Sequence, residues 1–459
     1  MSRHSMRIRR LLPALATCVV ALLAGACKDI LSVDRPTIIT EADIRGDSNM
    51  ISAMIAGAEG EFRAEYAWIA HAGAGQTDEA LLSHVWSPWY EYDDRHVTAE
   101  GGAYDGISYP FLQRARATGS QFTAALKAAL GARAANHAGY ARALAYTGYS
   151  HLLIADHLCA IPIDGSAPKT PDEVRQLAIG YFTEAAEVGA AASRTDIVDL
   201  ANVGLARAYL GMGDKPHTIE FASKVSAGFT AWVRYAAHPD FGQWTYYNLY
   251  NRVSGMRSPA EFNLGYDPAL FAGVDDLRVP FEKDSARRLM DGRAPRFAHL
   301  PYQPSSFSGW TPGGKNMMAQ DASIRFASAL EARYMVAEAG GLSNAALRTF
   351  IDERRAVGGL AQFAGTDAQL FDELLEQRRW DFMLAGFRMP DVIRYKRFYG
   401  KDLWPKGRMA GFTSDFNQNY GTSECWPIGA SERNANPNVP RGLIVNGHYA
   451  PQPAPSLGG

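Results

Sequence analysis

At 459 residues the chain is long enough for two or three ordinary domains or for one long helical solenoid. Its 46 Lys and Arg nearly balance 48 Asp and Glu, and no long basic run follows the first ten residues, which argues against nucleic acid as a partner. Trp, Tyr and Phe make up 11% of the chain and gather in irregular stretches as well as in helices, the placement a binding surface needs.

Arg3, Arg7, Arg9 and Arg10 precede an apolar run from Leu11 to Gly25 that is short for a membrane span, the pattern of a secretory signal. The run ends in Leu23-Ala24-Gly25-Ala26-Cys27, which resembles a bacterial lipobox with Ala24 where leucine is preferred. Residues 1–26 are therefore expected to be the signal and Cys27 the lipidation site, with the membrane touched through that lipid anchor alone. Each buried acyl methylene adds about 0.8 kcal/mol, so two or more chains hold a protein stably at a bilayer. An extended strap from Leu31 to Pro36 then leads to a first helix expected from about Asp43 to Ala67.

Trp68 to Gly106 lacks a sustained helical period and holds Trp86, Trp89, Tyr90 and Tyr92 beside Glu91, Asp93, Asp94 and Arg95. A loop of this length in a helical protein is more often functional than idle. Thr77-Asp78-Glu79 within it reads as a structural polar turn. Helices are predicted over Phe111 to Ala129 and Tyr140 to His157, where Ala141, Ala145 and Gly148 allow close approach, and over Val174 to Ala190 after Thr170-Pro171. In Ala201 to Val225, Leu205, Ala208, Tyr209, Gly213-Asp214, Ile219 and Ala222 fall where a tetratricopeptide (TPR) unit places its packing residues and turn.

From Ala231 to Gln320 the helical period is lost, and aromatic residues recur, among them Trp232, Tyr266, Tyr302 and Trp310. Tyr246, Tyr247 and Tyr250 are spaced as a helical packing face instead. Four helices are predicted beyond it: one carried by Ile324, Ala327, Leu330, Tyr334 and Ala337; one capped by Ser343 or Asn344 and stopped by Gly358-Gly359; one starting at Thr366-Asp367; and one opened by Pro390.

Catalytic and metal-binding signals are missing from the sequence. There is no H-E-x-x-H, G-x-S-x-G, Walker loop or dinucleotide fingerprint, so no catalytic residue, metal or cofactor is expected. Asp93-Asp94 and Asp275-Asp276 read as solvated acidic turns, because adjacent residues do not by themselves hold two carboxylates about 5–9.5 Å apart across a glycosidic bond. Arg354-Arg355 and Arg378-Arg379 are expected to pair with Glu338, Asp352, Glu376, Asp381 or Asp391. His151 and His157 read as packing or surface residues. Cys159 and Cys425 could form a disulfide in an oxidising compartment, which their positions leave open.

The order of these features resembles the SusD/RagB family, surface lipoproteins that capture nutrients, mostly glycans, for an outer-membrane transporter. The likeness is carried by Ile324-Arg325-Phe326-Ala327, Glu338-Ala339, Arg354-Arg355-Ala356, Gly358-Gly359-Leu360, Arg378-Arg379, Gly386-Phe387-Arg388 and Asp391, with Gln377 where the family usually has glutamate. Lys28-Asp29 resembles its export signal and Trp426-Pro427-Ile428, Glu432 and Asn436-Pro437-Asn438 its closing motif, with Gly429 in place of a second proline. The resemblance implies an all-α fold of TPR-like helical hairpins, with residues 27–230 as strap and hairpins, 231–320 as a loop-rich variable portion packed on them, and 321–459 as C-terminal helices and tail. It implies a non-catalytic protein on the outer membrane, facing the exterior, that binds an oligosaccharide or other nutrient and delivers it to a SusC-like TonB-dependent transporter. The expected ligand contacts are Trp86, Trp89, Tyr90, Tyr302 and Trp310 as stacking rings, with Asp93, Asp94 and Arg95 as hydrogen-bonding partners. The same rings could instead fill the interface between hairpins and variable portion. The rival readings are a secreted α/α-toroid glycosidase and a TPR scaffold that binds only protein.

Overall fold

The computed structural model describes residues 48–82, 90–235, 264–265, 270, 272–278, 323–409 and 419–440. The chain divides into Met1–Met50 and Ile51–Gly459, and apart from residues 48–50 the elements below build the second unit. Helix α1 is Ser48–Gln76, nine residues longer at its end than predicted; Asp43 lies outside the described residues. Residues 65–76 are buried on every side of the helix, so they show no amphipathic period.

Helices α3 (Tyr109–Leu130), α4 (Ala138–His157), α5 (Pro171–Ala191), α6 (Thr195–Met212) and α7 (Lys215–Ala222) follow, each of α4 to α7 packing on the one before, and α4 also touches α6. Local chemistry sets their ends. Thr170 and Glu173 form a capping box at α5, and Gly213, left-handed at φ 80°, passes the chain to Asp214, whose carboxylate accepts the His217 N–H. Close approach is provided by glycine: a Cβ on Gly148 would stand 2.8 Å from the Phe182 ring, and one on Gly204 would overlap the same ring from α6.

The C-terminal part adds α8 (Ala329–Glu338), α9 (Asn344–Val357), α10 (Leu370–Asp381) and α11 (Arg388–Tyr399). Helix α8 packs on α6 and α7, α10 on α8 and α9, and α11 on α4. Ser343 and Thr366 cap as expected, and Gly359 sits at φ 73° past α9. The predicted helix start at Ile324 is wrong. Ile324–Ser328 is a strand, β4, paired antiparallel with β2 (Thr230–Val233), and Ser328 caps α8 by accepting the Glu331 N–H. Five residues with apolar positions at both spacings fit either period, and the partner strand from far earlier in the chain decides.

The core is a cluster of rings where α1, α4, α5 and β4 meet. Phe62 lies 5.1 Å from Phe326 and 5.2 Å from Tyr146, and Tyr149 lies 4.8 Å from Phe182. Arg207 closes it from α6, pairing with Glu331 at 2.7 Å and lying over the Tyr149 ring. The fold is thus all-α and TPR-like, with two small strand pairs among the described residues.

The arginine pairs are structural, with partners that only partly follow expectation. Arg354 grips Asp381 (2.7 and 2.8 Å) and Arg378 pairs with Asp391 (2.7 Å), as anticipated. Arg355 takes Glu373, Glu338 is held by Arg394, and Asp352 accepts the Phe363 N–H. Arg379 reaches Asp78 at 3.1 Å and Glu376 only at 3.8 Å, while Arg388 holds Asp78 at 2.6 Å. Burial pushes the Asp78 carboxyl up, but the two guanidinium groups outweigh it and hold it at about 2. The Thr77-Asp78-Glu79 turn is therefore the foot on which the C-terminal arginines stand.

Asp276 overturns the expectation of a solvated turn. It is buried and bound by Arg278 at 2.6 Å, which also reaches Gln377 (2.6 Å) and Asp381 (3.1 Å). Leu277 N–H donates to Gly358 O at 3.0 Å, and a Cβ on Gly358 would run into the Asp276 carboxylate. Residues 272–278 of the variable portion thereby dock on α9 and α10.

His151 and His157 are both buried packing residues; burial pushes His151 down to about 4. Glu79 is the opposite case. Burial pushes its carboxyl up to about 8, although it accepts the Leu384 N–H at 3.0 Å. A folded value above the unfolded one means stability that is complete below about pH 4.5 and is lost as pH rises through 8. Glu79→Gln keeps the acceptor, so urea midpoints should show it more stable than wild type at pH 8 by about 4 kcal/mol and nearly equal at pH 4.5. Equal midpoints at both pH values would show that Glu79 is ionised in the fold.

Candidate ligand-binding face

Trp86, Trp89, Tyr302 and Trp310 lie outside the described residues. Tyr90 opens the short helix α2 (Tyr90–Asp93). Of the polar partners expected beside it, Asp93 and Arg95 are buried, at 0% and 3% exposure, and Asp94 alone keeps partial exposure. Arg95 is turned inward by a left-handed backbone at φ 56°. Its guanidinium donates to Ser423 O and to Pro405 O (2.6 Å) and stacks 4.6 Å over the Trp404 ring. It serves as a footing for the loop, which corrects its assignment as a ligand contact; Asp93 is likewise sealed from ligand.

Helix α2 and the two residues after it are tied to the C-terminal tail. Tyr92 OH and Ser108 Oγ are 2.6 Å apart, and the Tyr92 ring meets Trp426 edge-on at 5.8 Å. Gly421 N–H donates to Asp94 O at 2.6 Å and Ser423 N–H to Arg95 O at 3.0 Å. Trp426 itself is fully buried, its indole N–H donating to Gln76 and its backbone hydrogen-bonded to His157 and Cys159. Beside it Cys159 and Cys425 form a disulfide, so the pairing left open by sequence is made. Further along the closing motif, Asn436 donates to Ser166 O and Asn438 to Gly165 O.

Glu91 is the residue that sequence reasoning passed over. Its carboxylate accepts the Tyr104 N–H at 3.0 Å, and a Cβ on Gly101 would fall on it. Burial pushes it up to about 7, against the backbone donors of Tyr104, Thr98 and Ala103, with Asp94 adding to the rise. Only the Gly101-Gly102 pair signals a cramped turn here.

The strand β1 (Leu81–Leu82) pairs antiparallel with β3 (Leu264–Gly265), matching Leu81 to Gly265 and Leu82 to Leu264. β1 immediately precedes the stretch with Trp86 and Trp89, and β3 belongs to the variable portion, so two segments far apart in sequence meet at one edge. Leu81 packs on Met409, with Tyr420 against it. Among the described residues there is no cluster of three potential metal ligands, and no helix is long and apolar enough to cross a membrane.

Solved structures resemble this arrangement over nearly their whole length. A SusD superfamily protein from Bacteroides fragilis superposes with a TM-score of 0.59 at 12% identity, covering 86% of this chain and 100% of its own. The fold is SusD-like. A SusD-like carbohydrate binding protein from Bacteroides vulgatus (TM-score 0.57, 15% identity, 86% and 98% coverage) and surface glycan-binding protein A from Bacteroides uniformis (0.53, 13%, 85% and 98%) share it. No family model and no curated protein sequence matches the chain. In this SusD-like fold the hairpins α3 to α7 form the stack, and Trp426 of the tail packs between Tyr92 of α2 and His157 at the end of α4.

Proposed function

We propose that this chain is a SusD-type, non-catalytic surface lipoprotein. It is tethered to the outer membrane through Cys27, facing the exterior, and captures a glycan that it hands to a SusC-like TonB-dependent transporter. The observation that carries the reading is the β1–β3 pair, which joins the first ring-bearing stretch to the variable portion as one shallow ligand cradle would require. Two of the structures sharing the fold are described as carbohydrate- or glycan-binding. The Cys159–Cys425 disulfide fits an exported protein, since such bonds persist in oxidising compartments.

Titration calorimetry against an oligosaccharide panel tests it. Wild type should bind one class without turnover, and Trp86→Ala, Trp89→Ala or Trp310→Ala should each weaken binding about tenfold, since a stacked ring contributes roughly 0.5–1.5 kcal/mol beyond its buried area. Pull-down from outer membranes should recover a TonB-dependent barrel. Hydrolysis products would replace this reading with the glycosidase; partner recovery without any sugar binding would replace it with the protein scaffold.

A further inference from the structure

The residue that follows Tyr90 is an acid placed in a cup rather than in solvent. The cup is residues 98–104. It is closed on itself by Gly101 N–H to Thr98 O (3.1 Å) and continued by Asp105 N–H to Gly101 O (2.7 Å). From outside, the tail braces it: Ala430 N–H donates to Ala99 O at 2.9 Å, Arg433 pairs with Glu100, and Ser431 bonds Asp105 at 2.8 Å. Inside, the space a side chain on residue 101 would need is filled by the Glu91 carboxyl group, which Tyr104 N–H meets.

We propose that Glu91 is a positioning residue for capture: its carboxyl group, seated in this cup, holds the backbone of α2, the element that Tyr90 opens. This rests on the glycan-capture reading above and adds a regulation to it. The groups facing Glu91 are Asp94 on its own turn and the phenols of Tyr92 and Tyr104. Glu100 of the cup and Asp105 just after it are engaged by Arg433 and Ser431. Burial raises the folded value to about 7, with Asp94 adding to it, against the backbone donors of Tyr104, Thr98 and Ala103, so the acid keeps its proton to higher pH in the seated loop than in the open one. The hold is complete below the unfolded carboxylate value and is lost as pH rises through about 7.

Hydrogen exchange of peptides covering residues 90–105, with glycan titration beside it, tests this at pH 6 and pH 8. Wild type is compared with Glu91→Gln, Glu91→Ala and Gly101→Ala. Going from pH 6 to pH 8, local opening in wild type should rise about tenfold more than in Glu91→Gln, the factor expected when one proton is released over that interval. Glycan affinity should fall in step for wild type and stay level for Glu91→Gln, while Glu91→Ala and Gly101→Ala open and bind weakly at both pH values. Bound glycan with the same pH response in wild type and Glu91→Gln, or with Glu91→Ala indistinguishable from wild type, overturns the role of Glu91 and leaves the capture reading standing. The expected exchange pattern in a protein that binds no glycan overturns both, leaving Glu91 a loop anchor only.

Discussion

Asp381→Ala is expected to destabilise the protein by about 3–5 kcal/mol, the cost of removing one partner from a buried ion pair. The carboxylate is 3% exposed and takes two bonds from Arg354, one contact from Arg278 at 3.1 Å and the Tyr334 hydroxyl at 2.6 Å. Arg278 keeps Asp276 when Asp381 is lost, but Arg354 has no second acid within ion-pair distance among the described residues, so a guanidinium is left without its counter-charge. Urea unfolding of wild type, Asp381→Ala and Glu353→Ala measures this. Glu353 pairs with Arg333 at the surface, 48% and 52% exposed, and its loss should move the midpoint by no more than about 0.5 kcal/mol. Burial raises the Asp381 carboxyl, but Arg354 and Arg278 bring it below its ordinary value, so its stabilisation is present above the unfolded carboxylate value and lost as pH falls through the folded one. Equal midpoints for the two variants would mean that the network is decorative.

Reduction of Cys159–Cys425 is the second large effect. The bond closes a sequence separation of 266 residues, and constraint of an unfolded loop that long corresponds to roughly 5–6 kcal/mol. Dithiothreitol should lower the urea midpoint of wild type and leave that of Cys159→Ser/Cys425→Ser unchanged. The tail keeps its backbone bonds through Trp426 in the variant, at 2.7 Å to His157 O and 2.9 Å from Cys159 N–H, so the fold should persist with a looser tail. Because Gly421 and Ser423 of that tail hold Asp94 and Arg95, hydrogen exchange over residues 92–96 should speed up on reduction. No response to reductant in either midpoint or exchange would mean that the hydrogen bonds alone seat the tail.

What could be read from the residues in order was whatever chemistry lies within one turn of itself. Thr170 with Glu173, Ser343 and Thr366 cap helices where expected, because a cap needs only a side chain and an N–H two or three residues on. The TPR-like unit at residues 201–225 was legible for the same reason, its turn written in Gly213-Asp214. The end of α1 was not, since a helix buried on all sides loses the polar face that marks a period.

Partners across the chain were decided only by the tertiary structure. That Arg379 needed an acid was plain from sequence, but the acid is Asp78, some 300 residues earlier and shared with Arg388, and only packing of α10 and α11 against the end of α1 brings it there. Ile324–Ser328 became a strand because Thr230–Val233 lay beside it. Arg95 carried the composition of a ligand site and was claimed by a tail that arrives more than 300 residues later. A residue type states which interaction it must make; burial by distant segments selects the partner, because the cost of an unpaired buried charge is felt only once the chain has closed over it.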